Sequence, residues 1–149
     1  MDQALLPIFI LAAFPIVWFL LVCFVLFIVS FTGWRSLAEK YAHTGEEPEL
    51  SHRYASAQIS WFGRYNHVLN LAATPRGLYI RPILLFRFAH PALLLPWHLL
   101  ASARSVKSLF KNFAELQFLD GNRSVRIFAP EEILKNPNIP ASAVASPAP

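Results

Sequence analysis

Tyr65-Asn66-His67-Val68-Leu69-Asn70-Leu71-Ala72-Ala73-Thr74-Pro75-Arg76-Gly77-Leu78-Tyr79-Ile80-Arg81 is the stretch on which the fold turns. Tyr65, His67, Leu69, Leu71 and Ala73 recur every second residue, with Asn66, Asn70 and Thr74 between them. That period places one set on a buried face and the other towards solvent, as in a strand. Thr74-Pro75-Arg76-Gly77 reads as a turn, in which proline fixes one dihedral and glycine is free to take a positive one. Leu78-Tyr79-Ile80-Arg81 alternates again, so the spacing predicts an antiparallel hairpin.

Downstream, Leu116 and Phe118 alternate with Glu115 and Gln117, Asp120-Gly121-Asn122 turns the chain, and Val125 and Ile127 alternate with Ser124 and Arg126. An Asp-Gly turn between alternating segments predicts a second hairpin. Ala129-Pro130-Glu131-Glu132-Ile133-Leu134-Lys135 opens on proline and acids and ends on lysine, the order that favours a short helix. From Asn136 onward the chain is uncharged and rich in Pro, Ala and Ser, and it is expected to be a disordered tail. Between the hairpins, residues 82–100 are apolar enough to cross a membrane. Arg87 near their middle and the breaks at Pro91 and Pro96 predict instead two short buried strands around Arg87-Phe88-Ala89-His90-Pro91. A membrane-dipping loop, or a second span, is the alternative for this stretch.

Upstream, no charge occurs from Gln3 to Trp34. A bilayer needs about 20 apolar residues in a helix, so this run predicts an N-terminal transmembrane helix kinked at Pro15. Arg35, Lys40 and Arg53 follow it and no Lys or Arg precedes it. That asymmetry predicts an N-terminus outside and a cytoplasmic C-terminal domain. Trp34, Leu37, Ala38 and Tyr41 lie on one helical face. They predict a juxtamembrane helix, lying along the surface or docking onto the domain, with Trp34, Arg35 and Tyr41 at the membrane interface. The expected organisation is an anchor over residues 1–34, a juxtamembrane helix and acidic loop over 35–50, a basic β-rich domain over 51–135 and a tail over 136–149.

Of the 149 residues, 55% are hydrophobic and 15% charged, which excludes a disordered chain. One cysteine, Cys23, excludes a disulfide framework. Charge is unevenly placed. No acid lies between Glu49 and Glu115, while Arg53, Arg64, Arg76, Arg81, Arg87, Arg104, Lys107 and Lys111 do, so the segment carries +8. Arg64, Arg76, Arg81, Arg87, Arg104, Lys107 and Lys111 are the candidate contacts to an acidic partner or to anionic headgroups. The competing reading is a solvated face that keeps the domain soluble. Nucleic acid is disfavoured because no helix-turn-helix or RNP-like aromatic set accompanies the cations.

Catalytic signals are few. The glycines are not clustered as in a phosphate loop, and His90 and His98 lack metal-ligand spacing. No cofactor and no metal are expected. His67 reads as a sheet histidine, and a pocket holding His67 or His90 is the ligand-carrying or enzymatic alternative.

The run Leu69-x-Leu71-x-x-Thr74-x-x-Gly77-Leu78-Tyr79-Ile80, followed by Leu94-Leu95-Pro96-Trp97-His98-Leu99-Leu100, resembles the pleckstrin-homology-like and GRAM pattern over residues 60–135. The basic phosphoinositide motif found in members of that group is absent around Thr74 to Gly77. The resemblance implies a small bent antiparallel domain closed by a short C-terminal helix, which together with the transmembrane helix makes the expected chain α+β. Small bacterial inner-membrane proteins with one span and such a domain are similar in layout. The resemblance implies a binding or assembly module rather than an enzyme. The anchor, the +8 segment and the missing catalytic constellation predict a non-catalytic, membrane-anchored module, an accessory subunit or adaptor docking on a larger membrane protein complex or on anionic phospholipid.

Overall fold

The computed structural model describes residues 5–31, 33–59, 63–88, 90–108 and 111–144. Two helices precede seven strands: α1 (Leu5–Phe31), α2 (Trp34–Tyr41), β1 (His52–Gln58), β2 (Arg64–Thr74), β3 (Gly77–Pro82), β4 (Leu93–Pro96), β5 (Leu100–Lys107), β6 (Asn112–Asp120) and β7 (Arg123–Pro130). All strands pair antiparallel in the order β4-β3-β2-β1-β7-β6-β5.

That order forces curvature. β4 and β5 stand at opposite ends of the sheet, six strand spacings apart, roughly 29 Å if the sheet were flat. Only Trp97–Leu99 joins them, as a 3₁₀ turn, and such a link reaches at most about 14 Å. The sheet therefore curls into a half-barrel. Its inside holds Leu69, Leu71, Leu78, Ile80, Leu93, Leu95, Leu116, Phe118 and Ile127.

Both predicted hairpins form. Thr74 pairs with Gly77, and Asp120 with Arg123, at the two turns. Thr74 Oγ1 donates to Gly77 O at 2.7 Å and accepts from Gly77 N at 3.2 Å, closing the first turn. Gly77 serves there for space and not for a positive φ, which among the described glycines belongs to Gly33 and Gly121. A Cβ on Gly77 would sit 2.3 Å from Leu95 O, because β4 runs against β3 at this point.

Several expectations are corrected. Among the described residues, no helix is long and apolar enough to cross a membrane. α1 runs from Leu5 to Phe31. Pro15 lies within it. The N-terminal transmembrane helix, the single-pass inner-membrane location and the orientation inferred from them are withdrawn.

α2 lies on the domain. Its Trp34 and Leu37 enter the core at 1% exposure each, so Trp34 is a core residue and not a membrane-interface one. Of the two strands expected within 82–100, the second forms as β4. The first is a 3₁₀ turn, Leu84–Phe86, with Leu84 and Leu85 exposed. Ala89 of the turn expected between them lies outside the described residues. The C-terminal helix is a five-residue 3₁₀ segment, Glu131–Lys135, too short to close a sheet. α2 does that work from the other end of the chain. Its end bridges to β4 (Ala42 to Leu93), and Lys40 reaches Asp120 at the β6–β7 turn at 3.0 Å.

The first part of the expected disordered tail is packed. Ile139 is buried, Asn138 Nδ2 donates to Ala73 O at 2.9 Å, and Val144 bridges to Ala103. Residues 145–149 of that expectation lie outside the described residues.

Candidate functional site

β1 and β2 pair with two register shifts. Between His52/Leu71 and Ala55/Leu69, β1 carries the extra residue. Between Ala55/Leu69 and Ala57/Tyr65, β2 is the longer strand. Tyr54 and His67 sit in these two irregularities with φ of 60° and 55°, the described non-glycine residues with left-handed backbone. A side chain there costs roughly 1–2 kcal/mol, and bulges turn side chains out of the regular alternation. The pattern read from the sequence therefore holds for Tyr65, Leu69 and Leu71, which are buried, and fails at His67, which is exposed. Ser56 Oγ accepts from His67 N at 3.0 Å and fixes the second bulge.

The two turned-out residues border an open groove of about 960 Å³ on the outer side of the sheet. Phe113, Phe128, Pro130 and Leu134 supply its apolar lining, and Lys111, Lys135, Glu131 and Glu132 its charged rim. Phe128 pairs with Ser56 on one side and Glu115 on the other, so β1, β7 and β6 form a continuous floor. Ser105 Oγ donates to Glu131 Oε1 at 2.6 Å, and this bond, with Asn112 beside it, holds the Glu131 carboxyl below its ordinary range.

The cations singled out from the sequence do not gather on one surface. Arg64 pairs in register with Gln58, which also pairs with Arg126, so Arg64 and Arg126 flank Gln58 on the outer side. Arg104 is next to them but committed: its Nε and Nη2 donate to Glu115 Oε2 at 2.8 and 2.6 Å. Arg126 Nε lies 3.9 Å from the other oxygen of that buried carboxylate. Arg81 is bonded to Glu47 and largely buried, and burial and the neighbouring Arg87 lower its pKa. Lys107 and Lys111 stand at the β5–β6 hairpin, and Arg76 in the β2–β3 turn. The acids that answer Arg81 and Arg104 thus come from just outside the acid-free segment. Of the expected interface residues, Arg35 is exposed and Tyr41 packs against the core.

His67 and His90 do not share a pocket. His90 is fully buried. Its Nδ1 lies 3.1 Å from Phe86 O, which can only accept, so Nδ1 carries the proton and Nε2 accepts from Tyr65 Oη at 3.0 Å. Burial lowers the His90 pKa and pushes the Tyr65 hydroxyl up to about 12. Trp34 packs edge-on against His90, 5.4 Å between ring centres, and its Nε1 donates to Pro91 O at 2.9 Å. This cluster fastens α2 to the sheet.

No protein-family model matches the chain, and no curated protein or solved structure is significantly similar to it.

Tyr54 and the groove are what the sequence reading missed. Bulged positions carry no composition signal unless glycine or asparagine occupies them, and here tyrosine and histidine do.

Proposed function

We propose that the chain is a non-catalytic interaction module that receives a segment of a partner protein in the groove beside Tyr54 and His67. One observation carries this: two left-handed residues, held against their own backbone preference, frame an apolar concavity with a mixed-charge rim. Strain of this kind persists where the surrounding structure maintains it, and it clusters at binding sites. An apolar floor with charges around it is the composition of a protein-recognition surface.

A curled antiparallel half-barrel is compatible with the pleckstrin-homology-like resemblance, and that resemblance supports a binding role. The non-catalytic reading is supported by His90, whose two ring nitrogens are both engaged inside the core. The partner segment would place an apolar side chain between Phe113 and Phe128 and opposite charges towards Lys111 and Glu132.

The test places a photo-crosslinking amino acid at Tyr54 in the full chain within its native cells. A single discrete adduct is expected, and combined Lys111→Glu and Lys135→Glu should abolish it. A crosslinker at Ser124, on the far hairpin, should give none. No adduct from Tyr54, or one indifferent to the rim charges, overturns the reading.

A further inference from the structure

The β3–β4 connection presents Leu84, Leu85 and Phe88 to solvent at 79%, 57% and 72% exposure. Arg87 stands among them, exposed and without an ion pair among the described residues. We infer that this tip is a lipid wedge, which enters the headgroup region of an anionic bilayer while Arg87 binds a lipid phosphate. The inference uses a different surface from the groove and does not depend on it.

Four features point to lipid. The tip's apolar side chains are exposed, and a bilayer accepts such side chains without a matching pocket. Its backbone is partly satisfied within the turn: Phe86 N donates to Ile83 O at 2.9 Å, Arg87 N to Leu84 O at 3.3 Å and His90 N to Arg87 O at 3.4 Å. Each such bond lowers the cost of taking the turn out of water.

The base is rigid as well. Ile83 N donates to Val68 O at 2.8 Å, and buried His90 grips Phe86 O from behind. The tip therefore loses little freedom on insertion. Charge is complementary too. Arg87 Nε leans on Pro82 O at 3.4 Å, and no ion pair among the described residues uses its terminal guanidinium nitrogens, the fork that matches a phosphate. Glu47 is already taken by Arg81 and does not compete for Arg87.

The experiment uses the full chain with Cys23→Ser and a single added cysteine, labelled with an environment-sensitive fluorophore. One version carries Leu85→Cys and the control carries Ser142→Cys. Each is mixed with three-to-one phosphatidylcholine–phosphatidylglycerol vesicles. The Leu85 label should shift to the blue and be quenched by lipids spin-labelled near the headgroup, and the Ser142 label should not. Adding Arg87→Glu, or using phosphatidylcholine alone, should reduce the blue shift several-fold. An unshifted Leu85 label, an equal shift at Ser142, or a shift indifferent to both Arg87 and lipid charge overturns the inference. So does a label already shielded from aqueous iodide before lipid is added, which would mean that a protein covers the tip.

Discussion

Gly77 shows how a single position constrains the sheet. The Cβ that any other residue would add there meets the carbonyl of Leu95, and backbone cannot swing aside as a flexible side chain can. Gly77→Ala should therefore cost about 1–3 kcal/mol, the range for over-packing, read as a lower urea midpoint at unchanged slope. Gly121 makes the contrast. Nothing lies near its absent Cβ, but its φ is +59°, so alanine there is penalised through the backbone alone. At Tyr54 the same logic runs in reverse. Tyr54→Gly relieves the left-handed strain, and stability should hold or rise by up to about 1 kcal/mol while partner capture by a crosslinker moved to Asn112, on the same groove, is lost. A clear loss of stability would mean that the tyrosine is kept for packing and not for recognition.

At the scale of elements, α2 is the piece whose role changes most. Eight residues cannot hold a helix in water on propensity alone. It persists because Trp34 and Leu37 plug one end of the curled sheet and Lys40 and Ser36 tie it to the β6–β7 hairpin through Asp120 and Arg123. The Asp120 carboxyl, bonded by Lys40, sits below its ordinary range accordingly. His90 makes this docking sensitive to acid. Its pKa is lowered in the folded chain, chiefly by burial. The unfolded chain therefore takes up a proton first as pH falls. The stability is fully present above the unfolded histidine value of about 6.5 and declines below it, by at most about 1.4 kcal/mol per pH unit. Urea midpoints at neutral and mildly acidic pH should differ accordingly, and His90→Gln should flatten the difference. An unchanged slope in the variant would assign the effect to His52, whose pKa is also lowered by burial.

For the whole molecule, closure is the governing fact. The chain leaves β4 at one edge of the sheet and re-enters as β5 at the other, so neither edge can be built without the curl. Trp97 secures the crossing, with Nε1 donating to Thr74 O at 2.8 Å and its ring stacked 6.3 Å from Phe118. The C-terminal segment then straps across. Asn138 reaches Ala73 on β2 and Val144 bridges to Ala103 on β5. Ending the chain at Asn136 removes both ties and exposes the pocket of Ile139. The loss should be about 2–3 kcal/mol, from one buried aliphatic side chain and its accompanying hydrogen bond. Thermal or urea unfolding of the truncated chain reads it directly, and an unchanged midpoint would show that the strap is decorative.

The sequence by itself determined what is local. Alternation and turn chemistry specified both hairpins, the i, i+3, i+4 spacing specified α2, and the acid-free stretch specified an excess of cation. What it left undecided is what depends on partners distant along the chain. Whether α2 lay on a surface or in a core depended on the cavity left by a curled sheet. Whether residues 136–144 were ordered depended on acceptors on β2 and β5. Whether eight cations formed one surface depended on strand order and on acids that return from outside their segment. Bulges at Tyr54 and His67 arise from the register between two strands, a property of the pair that neither strand carries alone.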